Sequence, residues 1–306
     1  MEVDVLIPVY RPDGKLTELL KRLKMQNYPI HRVILMNTEE KHFPTELTGI
    51  WDRVEVYHLA KEEFDHGGTR DRGVRMSTAD LVLCMTQDAM PADETLIEEL
   101  VKPFDDPEVW AAYARQLPNE DCREVEKYTR SFNYPEQSMV KTKEDLDRLG
   151  IKTFFCSNVC AAWRREKYLE LGGFVKHTIF NEDMILAGTM IKQGGKIAYC
   201  AKAKVIHSHN YSAFQQFHRN FDLAVSQTMY PEVFGGIRSE SEGIKLVKKS
   251  LSYCIKIGKP WLMIQVVTQS AGKLLGYKMG QRYRSLPMWL ILRCTMSPSF
   301  WRGGKA

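Results

Sequence analysis

The sequence predicts an α/β protein with a mostly parallel, doubly wound sheet, helices on both faces of that sheet and a helical extension at the C-terminus. Two observations support this class. Short apolar runs alternate with segments of helical periodicity up to about residue 210, which is typical of strand–helix–strand units. The apolar runs are also continuous, as in strands that are buried on both faces of a parallel sheet.

The first half of the chain contains four predicted strands, VDVLIPVY, RVILMN, VEVYHL and LVLCMT. The segment KLTELLKRLKMQ after the first strand has the leucine spacing of an amphipathic helix. HGGTRDRGVRMSTA, between the third and fourth strands, is predicted as a glycine turn that leads into a helix. Residues 105–150 are polar and charged, and we predict helix and loop over the sheet there.

The second half begins with the apolar segment FFCSNVCAAW and a short helix. NEDMILAGTMIKQGG follows and is predicted as a helix with Asn181 as its N-cap and Gly194 or Gly195 at its end. KIAYCA and AKVIHSHN are predicted as two further strands. Beyond about residue 242 the pattern is helical, with predicted helices at 242–257, 260–280 and 286–296. In the second of these a glycine recurs every four residues, which allows close helix packing.

Basic charge is concentrated at the C-terminus. Residues 243–306 contain twelve Lys or Arg and no Asp or Glu, which leaves 31 basic and 38 acidic residues in the rest of the chain. Together with the helical pattern, this asymmetry divides the chain into an α/β domain at 1–240 and a basic helical region at 241–306. Such a region favours an anionic partner.

Two interpretations of the basic region stay open. It could hold the protein on an anionic membrane surface, where each basic residue contributes ~1 kcal/mol. Alternatively its helices pack on the preceding domain through Trp261, Leu262, Leu274 and Leu275, with the lysines in solvent. Nucleic acid is not expected as a partner, because no recognition motif accompanies the charge.

Composition also indicates the compartment. None of the seven cysteines forms a CxxC pair, which favours free thiols in a reducing environment. The N-terminal MEVDVLIPVY carries acids where a signal peptide has bases, and no apolar run reaches the ~18–20 residues that span a bilayer. We expect a cytoplasmic protein, and the basic region leaves open a position at the inner face of the cell membrane.

Four segments carry residues with chemical potential, and each also has a purely structural explanation. In DLVLCMTQDAMP, Asp88 ends a buried strand, where open α/β sheets bind ligands. A carboxylate there could hold a divalent cation such as Mg²⁺, or it could simply open the turn before Pro91. In HGGTRDRG, Arg70 or Arg72 could bind a phosphate, or both could be surface residues. This segment matches neither the dinucleotide nor the P-loop fingerprint.

The other two segments contain paired residues. In FNEDMIL, Glu182 and Asp183 fall in the first turn of a helix, where the helix dipole favours acids by ~0.3–1 kcal/mol. One of them could instead face the crevice as a general base. In VIHSHNYS, His207 and His209 alternate along a strand end, so both point to the same face. They could bind a metal or serve as hydrogen-bonded strand-end residues.

In their order along the chain, these segments resemble the family 2 glycosyltransferases of the GT-A fold, from about Val3 to Tyr211. HGGTRDRG, TQDAMP, NEDMILA and HSHNYS are similar to segments of the bacterial rhamnosyltransferases that build cell-surface polysaccharide. The resemblance implies an inverting, metal-dependent transfer of a sugar from a nucleotide donor, with rhamnose from dTDP-rhamnose as the main hypothesis. The implied acceptor is a hydroxyl of a glycan or of a polyprenyl-diphosphate-linked glycan. Another UDP- or dTDP-sugar donor, or a non-catalytic nucleotide-binding subunit, are the alternatives.

The resemblance also assigns roles to residues. The nucleotide would contact Pro8, Tyr10, Asn37, Glu39, Arg70 and Gln87. The family more often has Asp at the position of Asn37. Its DxD element appears here as Thr86-Gln87-Asp88, without the first acid.

The remaining roles concern the metal, the reaction and the acceptor. Asp88 and His207 would hold Mg²⁺ or Mn²⁺, with His209 as the second choice for the histidine. Asp183 would be the catalytic base, and Glu182 would support it. Trp163 is assigned to the acceptor side, with core packing as the alternative for this side chain.

Overall fold

The computed structural model describes residues 1–237 and 240–302. The chain forms two compact units. The first consists of Met1–Asn119, Tyr134–Lys176 and Glu182–His207, and the second of Glu120–Asn133, His177–Asn181 and the chain from Ser208 onward. The predicted division between residues 240 and 241 does not coincide with these boundaries. In the ranges that the structure describes, no helix is both long enough and apolar enough to cross a membrane.

The first unit contains one sheet, with strands β1 (Val3–Tyr10), β2 (Arg32–Thr38), β3 (Val54–Leu59), β4 (Leu81–Met85), β5 (Met90–Pro91), β6 (Val109–Leu117), β7 (Met139–Lys141), β8 (Cys160–Arg164) and β9 (Lys196–Ile206). Their order is β3-β2-β1-β4-β8-β6-β9-β5, and β7 also pairs with β9. The strands β1 to β4 pair in parallel, as predicted, but β8 runs antiparallel to both of its neighbours, β4 and β6. The sheet is therefore mixed rather than mostly parallel.

The described residues also contain α-helices α1 (Gly14–Lys24), α2 (His66–Met76), α3 (Leu96–Val101), α4 (Glu124–Asn133), α5 (Leu146–Leu149), α6 (Arg165–Glu170), α7 (Glu182–Lys192), α8 (Ala213–Met229), α9 (Pro231–Phe234), α10 (Glu240–Lys256), α11 (Leu262–Gln281), α12 (Met288–Cys294) and α13 (Pro298–Arg302). Helices α10, α11 and α12 confirm the three predicted C-terminal helices. Helix α7 begins directly after Asn181 and ends just before Gly194, whose φ of 92° is typical of a helix C-terminus.

Helix α1 illustrates how local sequence produces an element. The Asp13 side chain accepts a hydrogen bond of 2.9 Å from the Lys15 N–H and so caps the helix. Its four leucines are buried in the main core together with residues of the sheet. The seven cysteines are all free and buried, as expected from their spacing.

Two parts of the sheet region differ from the prediction. Residues 105–150 contain β6 (VWAAYARQL), which lies between β8 and β9, so this part of the chain is not only helix and loop. Gln116 in this strand is buried. KIAYCA and AKVIHSHN are not two strands but one, β9, which shifts register against β6 between Ala114 and Arg115.

The predicted glycine turn in HGGTRDRG is wrong, because α2 already begins at His66 and both glycines lie in its first turn. Asp65 caps the helix by accepting a hydrogen bond from the Gly68 N–H. The glycines of α2 permit close packing instead. A Cβ on Gly67 would lie 1.9 Å from the Val175 carbonyl oxygen, and one on Gly73 would lie 2.3 Å from Leu6 Cδ1.

In the second unit, α11 packs against α8 through the glycine stripe that the sequence predicts. A Cβ on any of the three glycines would meet a carbonyl oxygen of α8, with distances of 2.4 Å for Gly272 to Ala213, 2.1 Å for Gly276 to Phe217 and 2.3 Å for Gly280 to Phe221. Both helices advance by four residues between contacts, so their backbones stay close over two turns. The prediction of a small-residue packing stripe is confirmed, although α8 itself was not predicted.

Replacing Gly276 by alanine is expected to destabilise the protein by about 1–3 kcal/mol, because the new Cβ overlaps a backbone atom that cannot turn away. Gly243→Ala is the matched control, since a Cβ at this helical glycine meets nothing within 4 Å. The control should be neutral or more stable by up to about 1 kcal/mol. Urea and thermal unfolding measure both variants. Equal stability of Gly276→Ala and wild type would contradict the close contact.

Candidate active site

Strands β1 and β4 separate at their carboxyl ends, and we call the space between these ends the crevice. Pairing between these strands ends at Leu6 and Cys84, whereas β1 continues alongside β2 as far as Tyr10 and Thr38. From β1 the chain adds β2 and β3 on one side of the sheet and then places β4 on the other side. Open α/β sheets bind ligands at such a switch point. Pro8 lies beyond the last pair with β4, so its missing N–H removes no hydrogen bond to that strand.

Gln87 bridges this crevice with its amide. The Tyr10 N–H donates to Gln87 Oε1 at 3.0 Å, and Gln87 Nε2 donates to the Tyr10 carbonyl oxygen at 3.1 Å. The end of β1 is therefore fixed relative to the residues that follow β4. The Tyr10 ring is 38% exposed at this edge, with the Arg11 guanidinium carbon 5.2 Å from its centroid.

The residues that follow β2 are held by their neighbours. Asn37 is fully buried, and its Nδ2 lies 2.9 Å from His58 Nδ1. The Glu39 carboxylate lies 3.0 Å from the Lys41 ammonium, and the hydrogen bond from Lys41 contributes most to a pKa of Glu39 below its usual value. Glu39 has a φ of 64°, a region that non-glycine residues rarely adopt. The loop after β2 therefore has a defined backbone conformation.

A buried ion pair joins α2 to α7. Arg70 Nη1 lies 3.1 Å from Glu182 Oε1, and both side chains are less than one tenth exposed. The same nitrogen donates to the His66 carbonyl oxygen at 3.0 Å. Asn158 Nδ2 donates to Glu182 Oε1 at 3.3 Å, so the carboxylate has two partners. Arginine and carboxylate charges are stable at this depth only when they are paired in this way.

Asp183 accepts two hydrogen bonds from backbone groups, 3.0 Å from the Asn158 N–H to Oδ2 and 2.7 Å from the Met184 N–H to Oδ1. Burial, and next the charge of Glu182, raise the pKa of Asp183 to about 7. Burial acts on Glu182 as well, but Arg70 and then His66 outweigh it and keep the pKa of Glu182 below its usual value. Two adjacent carboxyl groups whose pKa values are shifted in opposite directions are typical of an acid–base site.

Asp88 and Asp183 lie at the same edge of the sheet. The Thr86 N–H, two residues before Asp88, donates to the Val159 carbonyl oxygen at 3.3 Å. The preceding residue, Asn158, donates its own N–H to Asp183. The residues after β4 and the start of α7 are therefore connected through the segment that enters β8.

Asp88 faces a histidine within the first unit. Asp88 Oδ2 lies 3.6 Å from His207 Nε2, and His207 Nδ1 lies 3.2 Å from Gln116 Oε1. Gln116 Nε2 is in turn 3.2 Å from Ser157 Oγ, which orients the amide. With Nδ1 donating to Gln116, the lone pair of the ring is on Nε2, as a metal-binding histidine requires.

These two donor atoms fit a divalent cation. Ligands bonded at ~2.1 Å lie about 3.0–3.4 Å apart on one ion, which is close to the 3.6 Å separation between Asp88 Oδ2 and His207 Nε2. His209 lies two residues further along the chain and belongs to the second unit. It remains a candidate ligand on sequence grounds.

Comparison with known proteins identifies the family. Residues 4–172 match the family described as Glycosyl transferase family 2, and the chain is similar over nearly its whole length to a curated member. The O-antigen chain rhamnosyltransferase RfbN of Salmonella typhimurium is 37% identical over 305 residues, which cover 98% of this chain and 96% of that protein. The chain belongs to glycosyl transferase family 2. A second relative, the O-antigen chain rhamnosyltransferase WbaN of Salmonella anatum, is 40% identical over 247 residues, covering 79% of this chain and 78% of the relative.

Solved structures show that this family 2 glycosyltransferase has the GT-A fold. A mannosyltransferase from Pyrobaculum calidifontis, in complex with GDP-Man and Mn²⁺, has a TM-score of 0.58 at 14% identity, covering 97% of this chain and 87% of that one. TarS of S. aureus has a TM-score of 0.56 at 13% identity, covering 93% and 92%. At these identities the likeness concerns the fold alone.

The residues assigned from the sequence fall into three groups in this family 2 glycosyltransferase. Asp88 and His207 lie close together, as do Arg70, Glu182 and Asp183. Pro8, Tyr10 and Gln87 line the crevice between β1 and β4, whereas Asn37 is fully buried beside His58. Trp163 differs from its expected acceptor-side position. Its side chain is fully buried and its ring lies 5.2 Å from that of Phe174, edge to face.

Sequence reasoning missed Asn158. Its backbone N–H contacts Asp183, its Nδ2 contacts Glu182, and its Oδ1 accepts a hydrogen bond of 3.0 Å from Trp163 Nε1. The only local signal is a polar residue, in CSNVCAAW, at the start of an apolar strand. Trp163 therefore has a supporting role, because it orients the residue that holds both acids.

The contact between Asn158 and Trp163 can be measured with a double-mutant cycle on unfolding free energy. Asn158→Ala is expected to cost about 1–3 kcal/mol, because it leaves the buried indole N–H without its acceptor. In a Trp163→Phe background, which lacks that N–H, the same substitution should cost about 1 kcal/mol less. Pairing Trp163→Phe with the exposed Asp147→Asn is the control and should be additive. Additivity for the Asn158 pair as well would contradict this arrangement.

Proposed function

We propose that this chain is an inverting glycosyltransferase that moves rhamnose from dTDP-rhamnose to a hydroxyl of a glycan or a polyprenyl-diphosphate-linked glycan in cell-surface polysaccharide synthesis. The reaction would take place in the cytoplasm. Family membership supports the reaction class. The names of the two Salmonella relatives, both O-antigen chain rhamnosyltransferases, support the sugar and the pathway class.

The observation that carries this proposal is the pair of adjacent acids with oppositely shifted pKa values. Arg70 neutralises Glu182, so Glu182 stays ionised and is a weak proton acceptor. Among the residues that the structure describes, Asp183 has no arginine partner at hydrogen-bonding distance, and its raised pKa makes its carboxylate the stronger base. A general base works best when its pKa is near the operating pH. Asp183 is therefore the proposed base, and Glu182 and Asn158 position it.

In the proposed step, the Asp183 carboxylate takes the proton of the acceptor hydroxyl. The oxygen forms a bond to the anomeric carbon as the bond from that carbon to the diphosphate breaks. The departing nucleoside diphosphate keeps the electron pair. A single displacement of this kind inverts the anomeric configuration, and no covalent enzyme intermediate forms.

Asp88 and His207 would hold a divalent cation, Mg²⁺ or Mn²⁺, with His209 as a further candidate ligand. When bound, such an ion stabilises negative charge on a departing diphosphate. The crevice between β1 and β4 would hold the nucleotide, with Tyr10 and Pro8 beside the base and ribose. Gln87 would act by fixing the Tyr10 backbone, since both of its amide atoms are bonded there.

Asp183→Asn is expected to lower kcat for rhamnosyl transfer by about 10²–10⁴-fold, because an amide cannot accept the proton. Donor binding should be largely unchanged. Since the base must be ionised, wild-type activity should rise with pH through about 7, the pKa raised mainly by burial. Asp147→Asn, at an exposed acid of the same unit, should behave as wild type in a coupled assay of dTDP release. Full activity of Asp183→Asn would remove the base assignment.

Metal and donor are tested together by thermal shift with dTDP- and UDP-sugars, each with Mn²⁺, with Mg²⁺ and with chelator. We expect dTDP-rhamnose plus a divalent cation to stabilise the protein most. Asp88→Ala should lower the cation affinity, read from the cation-dependent thermal shift, by at least about tenfold. The reason is that one of the two proposed ligands in the first unit is lost. A metal-dependent shift that is unchanged in Asp88→Ala would show that the ion binds elsewhere. A larger shift with a UDP-sugar than with dTDP-rhamnose would contradict the proposed donor.

Donor binding without turnover would favour the remaining alternative, a non-catalytic nucleotide-binding subunit. In that case Asp183→Asn and wild type would bind the donor equally, and both would be inactive with every acceptor offered.

A further inference from the structure

Helix α11 presents an apolar stripe to solvent. Five large hydrophobic side chains at its start and along its length are each more than half exposed, namely Trp261, Ile264, Val267, Leu274 and Leu275. Their successive intervals are three, three, seven and one residues, which places them on one broad side of the helix. We call this side the outer face of α11. The glycine stripe that packs on α8 lies on the opposite side, where Gly276 and Gly280 are buried.

Exposed apolar residues also occur elsewhere in the basic helical region. Ile255 at the end of α10 is 64% exposed and is followed by an exposed lysine, Lys256. On α12, Trp289 is 59% exposed, with the Arg293 guanidinium carbon 5.6 Å from its ring centroid. Soluble proteins rarely leave so many large apolar side chains uncovered in one region, so such a face indicates an interaction surface.

Charge decides between the possible occupants. From Gly243 to the C-terminus the chain has twelve basic residues and no acid. A symmetric contact between two copies of the outer face would bring these like charges together, which disfavours it. A nucleic acid would match the charge, but four of the five side chains are aliphatic, and these neither hydrogen-bond phosphates nor stack on bases as aromatic rings do. An anionic bilayer matches both properties, because its headgroups attract bases and its acyl boundary accepts apolar side chains.

We propose that the outer face of α11 docks on the surface of a membrane that contains anionic lipids. Trp261 supplies an aromatic ring of the kind enriched at the membrane–water boundary, and exposed basic residues of the same region contact the headgroups. The helix lies on the bilayer and does not cross it, consistent with the lack of a spanning helix in the described residues. The purpose of this contact rests on the proposed function, since it would hold the enzyme beside a polyprenyl-diphosphate-linked acceptor.

The test is co-sedimentation of the full chain with vesicles of phosphatidylcholine alone or with about one third phosphatidylglycerol. We expect binding only to the anionic vesicles, with loss of affinity at high salt. The double variant Ile264→Glu, Leu275→Glu should bind at least about tenfold more weakly, because it places two acids in the apolar stripe. Met25→Glu, Val140→Glu is the control, since both residues are exposed hydrophobics of the first unit. It should bind as wild type.

Other outcomes separate the remaining explanations. Equal binding of Ile264→Glu, Leu275→Glu and the control would overturn the docking face. Self-association of wild type without vesicle binding, abolished by the same double variant, would make the face a contact between copies and would also overturn the proposal. Lys256→Gln, Lys278→Gln keeps the apolar stripe intact and should weaken binding to anionic vesicles. This second variant tests the proposal even if the double glutamate variant folds poorly.

Activity is measured in parallel with a water-soluble glycan acceptor, for which the double glutamate variant and the double glutamine variant should both match wild type. Absence of transfer by every protein, with vesicle binding intact, would refute the proposed function and leave the docking face standing. Transfer by the wild type without vesicle binding would support the proposed function and refute the docking face.

Discussion

The arrangement of the candidate site depends on the buried ion pair between Arg70 and Glu182. Burying an arginine and a glutamate is unfavourable unless each charge is balanced, and here the two side chains balance one another at 3.1 Å. The pair ties the first turns of α2 to the start of α7. It also affects the next residue, because burial and then the charge of ionised Glu182 raise the pKa of Asp183. Removing the arginine would therefore disturb both the packing of the two helices and the proton affinity of the proposed base.

Around this pair, the sheet organises the rest of the site. Strand β1 leaves β4 after Leu6, which creates the crevice, and Gln87 then spans it by bonding both backbone groups of Tyr10. The antiparallel strand β8 brings Asn158 to the same edge, where one residue contacts both acids. Donor-side and base-side groups thus come together through strand geometry, and not through any single loop.

The second unit shows how one helix can serve two purposes. Glycines on one side of α11 allow its backbone to contact α8 directly, so this contact does not use the large side chains of the outer face. Those side chains remain on the other side, where they are exposed. A helix that is fixed by glycines can leave its apolar residues available for a partner, which is why the packing stripe and the outer face occur on the same segment.

The sequence by itself determined the local features. Leucine spacing predicted α1, continuous apolar runs predicted β1 to β4, the glycine period predicted the packing side of α11, and the family resemblance selected Asp88 and Asp183. Each of these depends on neighbours within one or two turns or on a recognisable motif. Only the tertiary structure decided the direction of β8, the place of β6 in the sheet, the helical glycines of α2 and the role of Asn158. A buried strand has the same apolar pattern whether it runs parallel or antiparallel, and a single asparagine shows no partners until distant segments meet. Non-local pairing therefore decided how the predicted pieces are joined, while local periodicity and motifs decided what most of those pieces are.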